Sequence, residues 1–511
     1  MPGLDRAIAL QAATSKLAPN RTGESYLAIA NAAGPSAGSA EGPKPSFAVK
    51  VFYALGQSAQ SGGFDTALGL VFFYYTAVLG LSGALVGAAL AASLAFDAVV
   101  DPIVGSWSDN MKSRLGRRLP LMIVSIPLIT LSIGLLFSPP KGLDQTGLCI
   151  WLAVFSVAAR CFISVFNVPY IALGAELASD YLERTRVVVF RSIAGIVTGT
   201  TLTFLAFSGF FAHGALQRPE GYPAYGWTVA ILVAVTTSLC CLGVARYAAA
   251  LPQPAQHAHP MWRRLPGELA EIFANRSFRV LFISAVVVYV AVGLNASLNN
   301  HAFIFVWRMR SETLQFIGYA YLFGILLGVG AAPVLQKLME KRTVVIVGFA
   351  LLIANWLVLQ GLMLAGIYTP LGDAAILPMQ INSFVAGIGT GLFMVSFPSL
   401  MADAADEHEL LFKARREGLY FSGLGFAGKA ASGLGVMVAG VALDLIRFPK
   451  DVGQQVGIIL PEDVQFRLVM IWGPVAAVIA IASLVIFSFY NINRQRHAEI
   501  AAALAERRSA A

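Results

Sequence analysis

The sequence predicts an all-α membrane protein with twelve transmembrane helices in two six-helix bundles. Three observations carry this. First, 57% of the 511 residues are hydrophobic and only 13% are charged, where a soluble chain carries about 25% charged residues. Second, apolar runs long enough to cross hydrocarbon, about 20 residues each, recur along the chain after residue 45. Third, the later runs echo the earlier ones. Pro102 matches Pro333 and Pro169 matches Pro398, both at an offset of about 230 residues, as a six-plus-six duplication requires.

Residues 1–45 are rich in Ala, Ser, Gly and Pro. They lack the apolar core of a signal peptide and read as a disordered cytoplasmic tail. Six helices then fall near 48–79, 82–106, 119–138, 146–176, 187–213 and 226–249, making an N-terminal bundle over 46–249. A polar linker, 250–277, separates them from helices near 278–306, 314–338, 343–366, 372–400, 417–446 and 466–491. These form the C-terminal bundle, 278–491, and a basic tail, 492–511, follows. Pro102 and Pro333 are expected to close the second and eighth helices.

The net charge of +8 comes from loop lysines and arginines and does not point to nucleic acid. Loops on the side of the termini carry more than twice as many Lys and Arg as the opposite loops. That bias predicts cytoplasmic termini in the inner membrane. Cys149, Cys161, Cys240 and Cys241 have no metal-ligand spacing. There is no HExxH, no nucleophile–base set and no cofactor motif, which argues against an enzyme. No cofactor or bound metal is expected beyond a coupling H⁺ or Na⁺.

The informative residues are the few charges placed in oil: Asp65, Asp97, Asp101, Arg160, Arg191 and Lys429. Each costs at least about 2.5 kcal/mol at membrane depth. Asp97 and Asp101 are four apart, one helical turn, so they share a face. Two neighbouring carboxylates cannot both be charged cheaply without a cation. The pair therefore holds a proton or a monovalent cation, with a neutral oxygen such as Ser164 in support, or else forms an ion pair with a neighbouring helix. Ser58, Ser61 and Asp65 fall at helical spacing and predict a polar stripe on the first helix. Arg160, Ser164 and Asn167 share a face of the fourth, and a guanidinium there can grip a carboxylate with two hydrogen bonds. Tyr170 is placed on a cavity wall. Lys429, among Gly425, Gly428 and Gly433, has no easy escape to water. His301 is expected near the outer surface, beside the weaker candidates Asn295 and Asn299.

Three blocks carry a resemblance. The first is Asp97-Ala-Val-Val-Asp101-Pro102-Ile-Val-Gly105, with Ser108-Asp109 and Arg114-Leu-Gly116-Arg117-Arg118. The second is Asn167-Val-Pro169-Tyr170 through Glu176, with Asp180-Tyr181-Leu-Glu183-Arg184-Thr185-Arg186 and Arg191. The third is Asp403-Ala-Ala-Asp406-Glu407 and Arg415-Arg416-Glu417-Gly418, with Lys429 downstream. In this order they resemble the glycoside–pentoside–hexuronide:cation symporters of the major facilitator superfamily.

The resemblance implies that fold and alternating-access symport of a sugar, glycoside or uronide. It implies a coupling-cation role for Asp97 and Asp101 and a sugar-binding or coupling role for Arg191 and Lys429. Gly105, Asp109, Arg114, Gly116, Arg117 and Arg118 would form a cytoplasmic gate. The partners implied are a small-molecule substrate and the lipid bilayer, with the protein working as a monomer. The sequence departs from the melibiose-type pattern at three places. Ser61 stands where a sugar-binding aspartate falls, with Asp65 one turn on; Asn167 replaces a second; and Val100 replaces an asparagine beside the cation pair. Loss of that amide oxygen favours a proton over sodium. Loss of two sugar-facing carboxylates beside Arg160 favours a uronide over a galactoside. The competing expectation is an amphipathic anion or lysolipid carried on the same scaffold.

Overall fold

The first crossing, 47–78, is built from four consecutive helical pieces rather than one regular helix. In the computed structural model, which describes residues 45–177, 181–250, 265–414, 416–450, 452 and 458–510, α1 (Phe47–Leu55) starts at Ser46, whose hydroxyl accepts from the Val49 N–H. The chain then widens into a π turn, Ala59–Ala67, resumes as α2 (Leu68–Phe73) and widens again over Tyr74–Val78. The first widened piece, AQSGGFDTA, combines paired glycines with an aspartate, all poor helix formers. Such π turns gather at functional sites.

Among the described residues, eleven further helices are long and apolar enough to cross a membrane. They include α3 (Gly83–Asn110), α4 (Leu119–Leu136), α5 (Gln145–Glu176), α6 (Tyr181–Phe204, ending in a π turn Leu205–Phe210) and α7 (Gly221–Ala250). After a short α8 (Leu265–Ala274) come α9 (Arg276–His301, then a π turn Ala302–Val306), α10 (Leu314–Leu338), α11 (Lys341–Leu364), α12 (Ile376–Phe412) and α13 (Glu417–Leu445). The last crossing joins α14 (Glu462–Met470), a π turn Ile471–Val475 and α15 (Ala476–Phe487); α16 (Arg494–Ala510) follows. The tail expected over 1–45, except Pro45, lies outside the described residues, as do linker residues 251–264, Asp180 and Arg415.

Pro102 and Pro333 do not close their helices. Both lie inside, with α3 running on to Asn110 and α10 to Leu338. Transmembrane helices tolerate an internal proline because neighbours re-satisfy the freed carbonyl. Pro398 behaves the same way, and α12 continues to Phe412 through what was expected to be loop 401–416. Two helices were missed. α8 places Ile272, and α16 places Ile500 and Leu504, in the core of the C-terminal bundle with Phe278, Leu400 and Tyr490.

The packing repeats between halves. α3 packs on α5 as α10 packs on α12; α4 packs on α5 as α11 packs on α12; α4 packs on α7 as α11 packs on α15. The symmetry breaks at the junction. α3 and α13 pack tightly against each other, while their counterparts α6 and α10 scarcely meet. Small residues decide this: a Cβ on Gly440 would lie 2.0 Å from the Gly83 carbonyl oxygen, so the two backbones are in contact.

The halves are tied on the face away from the termini, here the far face. Asp444, at the end of α13, accepts from the Ser82 hydroxyl (2.5 Å) and the N–H groups of Gly83 (3.0 Å) and Ala84 (2.9 Å). Glu312 accepts from the His213 N–H at 2.7 Å, and Gln315 donates to Ser208 at 2.6 Å. His301, expected near the outer surface, is on this face but fully buried between the halves. Its Nε2 is 2.9 Å from the Thr76 hydroxyl, and its ring sits among Phe72, Phe73, Phe305 and Phe448.

Candidate functional site

On α3 the residues Phe96, Val99 and Ile103 are exposed, as lipid-facing positions are, while Asp97 is only 1% exposed. Helical spacing therefore turns both acids inward. There they meet Lys429, carried by α13 of the other half. Lys429 Nζ lies 2.8 Å from Asp97 Oδ2 and 2.5 Å from Asp101 Oδ2. Ser164 on α5 donates to Asp97 Oδ1 at 2.5 Å. Arg160, one turn before Ser164 and 7% exposed, lies within electrostatic reach of Asp97 and Asp65. Two carboxylates thus face the Lys429 ammonium directly and the Arg160 guanidinium nearby, so a proton or monovalent cation arriving here competes with these fixed cations for the acids. The structure brings together Asp97, Asp101 and Ser164, and adds Lys429, which the sequence expectation sets among the substrate residues; the acid pair is ion-paired to a neighbouring helix.

The polar stripe on the first crossing is altered by the π turn. Ser58 rotates away and lies 2.5 Å from the Thr236 hydroxyl, part-buried. Ser61 and Asp65 face a cavity of about 420 Å³ between α6 and α10, with Gln57 and Arg191 on the same wall. Gln60 Nε2 donates to Asp65 Oδ1 at 3.0 Å, and Asn167 Nδ2 donates to Gln60 Oε1 at 3.3 Å. Asn167 thus reaches Asp65 through an amide relay. Tyr170, expected on the cavity wall, is instead fully buried, stacked on Tyr53 at 4.5 Å and near Phe166. The tight α1–α5 contact at Gly56 and Gly174 draws the ring into the core of the N-terminal bundle.

A second cavity of about 760 Å³ continues from the first, sharing Asp65, Thr66, Thr203 and Gly318. Its remaining wall belongs mainly to the C-terminal half. Asn295 Nδ2 donates to the Trp472 carbonyl (2.8 Å), and Trp472 Nε1 donates to Asn299 Oδ1 (2.7 Å). Asn355 and Asn382 donate to each other's backbone carbonyls, at 3.1 and 3.0 Å. Sequence reasoning gave little weight to Asn295 and Asn299 and did not single out Asn355, Asn382 and Gln360. The signal available was the density of amides in runs otherwise apolar.

The expected gate residues lie on the face of the termini. Arg118 Nη1 is 2.6 Å from Asp109 Oδ1, and Arg117 and Arg118 both reach Glu176 Oε1, at 2.6 and 2.8 Å. Gly116 sits at φ +85°, where a Cβ would lie 2.6 Å from the Ala248 carbonyl. Gly105 faces Val168, and Arg114 is exposed. The second half repeats the device with Lys341, 2.7 Å from Asp403, and His497, 3.4 Å from the same carboxylate.

The chain is 24% identical to the isoprimeverose transporter of Lactiplantibacillus pentosus, covering 76% of this chain and 78% of that protein. It is 23% identical to a glucuronide carrier protein homolog of Escherichia coli K12, covering 77% and 83%. Among solved structures it resembles a bacterial homolog of the lysosomal transporter Spinster, with a TM-score of 0.60 at 13% identity over 86% of this chain and 95% of that one. The nucleoside transporter NupG gives a TM-score of 0.58 at 16% identity, over 86% and 98%; both likenesses concern the fold. The family described as MFS/sugar transport protein matches residues 52–494, and the chain belongs to it: a multi-pass membrane transporter, not an enzyme, in the glycoside–pentoside–hexuronide group of the major facilitator superfamily.

Proposed function

We propose that the protein is a cation-coupled symporter of a sugar, glycoside or uronide, with H⁺ as the coupling ion. The observation that carries this is the cluster of Asp97, Asp101, Ser164 and Lys429, in which acids of one half are held by an ammonium of the other. A proton on one carboxylate removes one of the two anions that hold Lys429, so loading and movement between halves are linked. Val100 contributes no side-chain oxygen, and hard cations want several oxygen ligands; this supports the proton. Arg191 and Asp65, with Ser61, form the charged end of the cargo chamber, which supports a uronide or another hydroxylated acid. The lysine and arginine bias supports cytoplasmic termini in the inner membrane, with the protein acting as a monomer. Gly105, Asp109, Arg114, Gly116, Arg117 and Arg118 are proposed as gate elements, with the ion pairs to Glu176 holding the loop.

Uptake of labelled glucuronides into proteoliposomes tests the reading. An inward-directed pH gradient is expected to drive accumulation, a sodium gradient alone is not, and Asp97→Asn is expected to abolish accumulation while leaving exchange. Uptake indifferent to both gradients, with Asp97→Asn and Asp101→Asn fully active, would remove the symport claim. Efficient competition by lysophosphatidylcholine, with none by uronides, would move the cargo to amphipathic lipids.

A further inference from the structure

We infer that the larger cavity contains an uncharged subsite, built by the C-terminal half, that takes a second hydroxyl-bearing unit of the cargo; this deepens the carbohydrate reading and rests on it. The argument is a count of donors and acceptors. Asn295, Asn355 and Asn382 each spend the side-chain N–H₂ on a backbone carbonyl: Trp472, Asn382 and Asn355 respectively. Their side-chain oxygens have no protein donor among the described residues, and all three residues line the cavity. Gln360 lines it too, is 1% exposed, and its Oε1 has no hydrogen-bond partner among the described residues. A buried acceptor without a donor is costly. The arrangement is consistent if the donor arrives with the ligand.

The wall therefore offers the oxygens of these amides, together with the N–H₂ of Asn299, in an apolar and aromatic background. An uncharged wall that offers both acceptors and donors suits hydroxyl groups, which do both. Trp472 is fixed in the wall, its carbonyl by Asn295 and its indole N–H by Asn299. The charged groups are Arg191, in the adjoining cavity, and Asp65, at the junction of the two. A cargo spanning both has its ionised ring against the N-terminal half and a neutral ring against the C-terminal half. The volume of about 760 Å³ falls within the roughly 300–1,000 Å³ of sites that enclose drug-sized ligands.

The test is equilibrium binding to the purified full chain in detergent, comparing glucuronate with a set of glucuronyl-hexose disaccharides that differ in linkage. At least one disaccharide is expected to bind about tenfold more tightly than glucuronate. Gln360→Leu, and Gln360→Met as a second shape, are expected to erase that gain while leaving glucuronate affinity unchanged. Neither is expected to lower the melting temperature of the ligand-free protein, because no internal hydrogen bond is lost. Equal binding of both size classes, or variants that weaken both by the same factor, would overturn the subsite and leave the symporter reading standing. Binding of neither class would overturn both.

Discussion

The carboxylate of Asp444 caps a helix belonging to the other half of the molecule, accepting from the Ser82 hydroxyl at 2.5 Å and from the next two backbone N–H groups. The first N–H groups of a helix have no partner within it, and an anion there is favoured by the helix dipole as well. Losing such a cap costs about 1 kcal/mol and up to 2. Asp444→Ala is therefore expected to shift the population toward conformers open at the far face by roughly 5- to 30-fold. Spin labels at the exposed positions 143 and 459 read this as a longer distance distribution. An unchanged distribution would show that the cap does not hold the face closed.

Gly440 is expected to be more sensitive still. A Cβ there would lie 2.0 Å from the Gly83 carbonyl oxygen, and backbone cannot yield as a side-chain tip does. Gly440→Ala should hold α3 and α13 apart, with overpacking costing about 1–3 kcal/mol. The same label pair should report separation without recovery on adding ligand, and transport should cease. Transport at the parental rate would contradict the close contact.

Lys429→Gln strands two carboxylates. Removing one partner of a buried ion pair costs about 3–5 kcal/mol; Lys429 and Asp101 are each about a third exposed, so the low end or less applies. The melting temperature is expected to fall, and Asp97→Asn in the same background to restore most of it. A cycle of the two single variants and the double measures the coupling. Additive losses would mean that Lys429 and Asp97 do not stabilise each other.

Gly116 and Gly142 make a matched pair. Both have left-handed φ, +85° and +87°, but a Cβ at Gly116 meets the Ala248 carbonyl at 2.6 Å while one at Gly142 meets nothing within 4 Å. Alanine at 142 should cost only the left-handed strain, about 1–2 kcal/mol. Alanine at 116 should cost distinctly more, seen as a lower melting temperature and displacement of the Arg117–Arg118 loop from Glu176.

The twelve crossings were legible because hydropathy and length nearly suffice in lipid, where every backbone group must be bonded within the segment. The acid pair was legible because four-residue spacing alone puts Asp97 and Asp101 on one face. Lys429 was conspicuous for its depth, but nothing local said that it would bridge both. Ser58 was misplaced because α spacing was assumed where the chain adopts a π turn. Asp444 sat in plain view at the end of an apolar run, yet its partner is more than 350 positions away. α16 escaped notice because its apolar anchors in the core are only Ile500 and Leu504, among the described residues. The C-terminal cavity wall was hardest to see, since its amides come from several helices and acquire meaning only when their hydrogen bonds are counted.

Polar groups bind the second crossing to its partner at two heights, with close glycine contacts between: at its first turn through Asp444, and about four turns on, roughly 21 Å along the rod, through Lys429. The upper joint is rigid, being backbone against backbone. The lower is a long, swivelling ammonium that can keep its grip while the rods tilt. Separation at the top can therefore pivot on the lysine as on a hinge pin, and whatever relaxes that pin frees both ends of the rod at once.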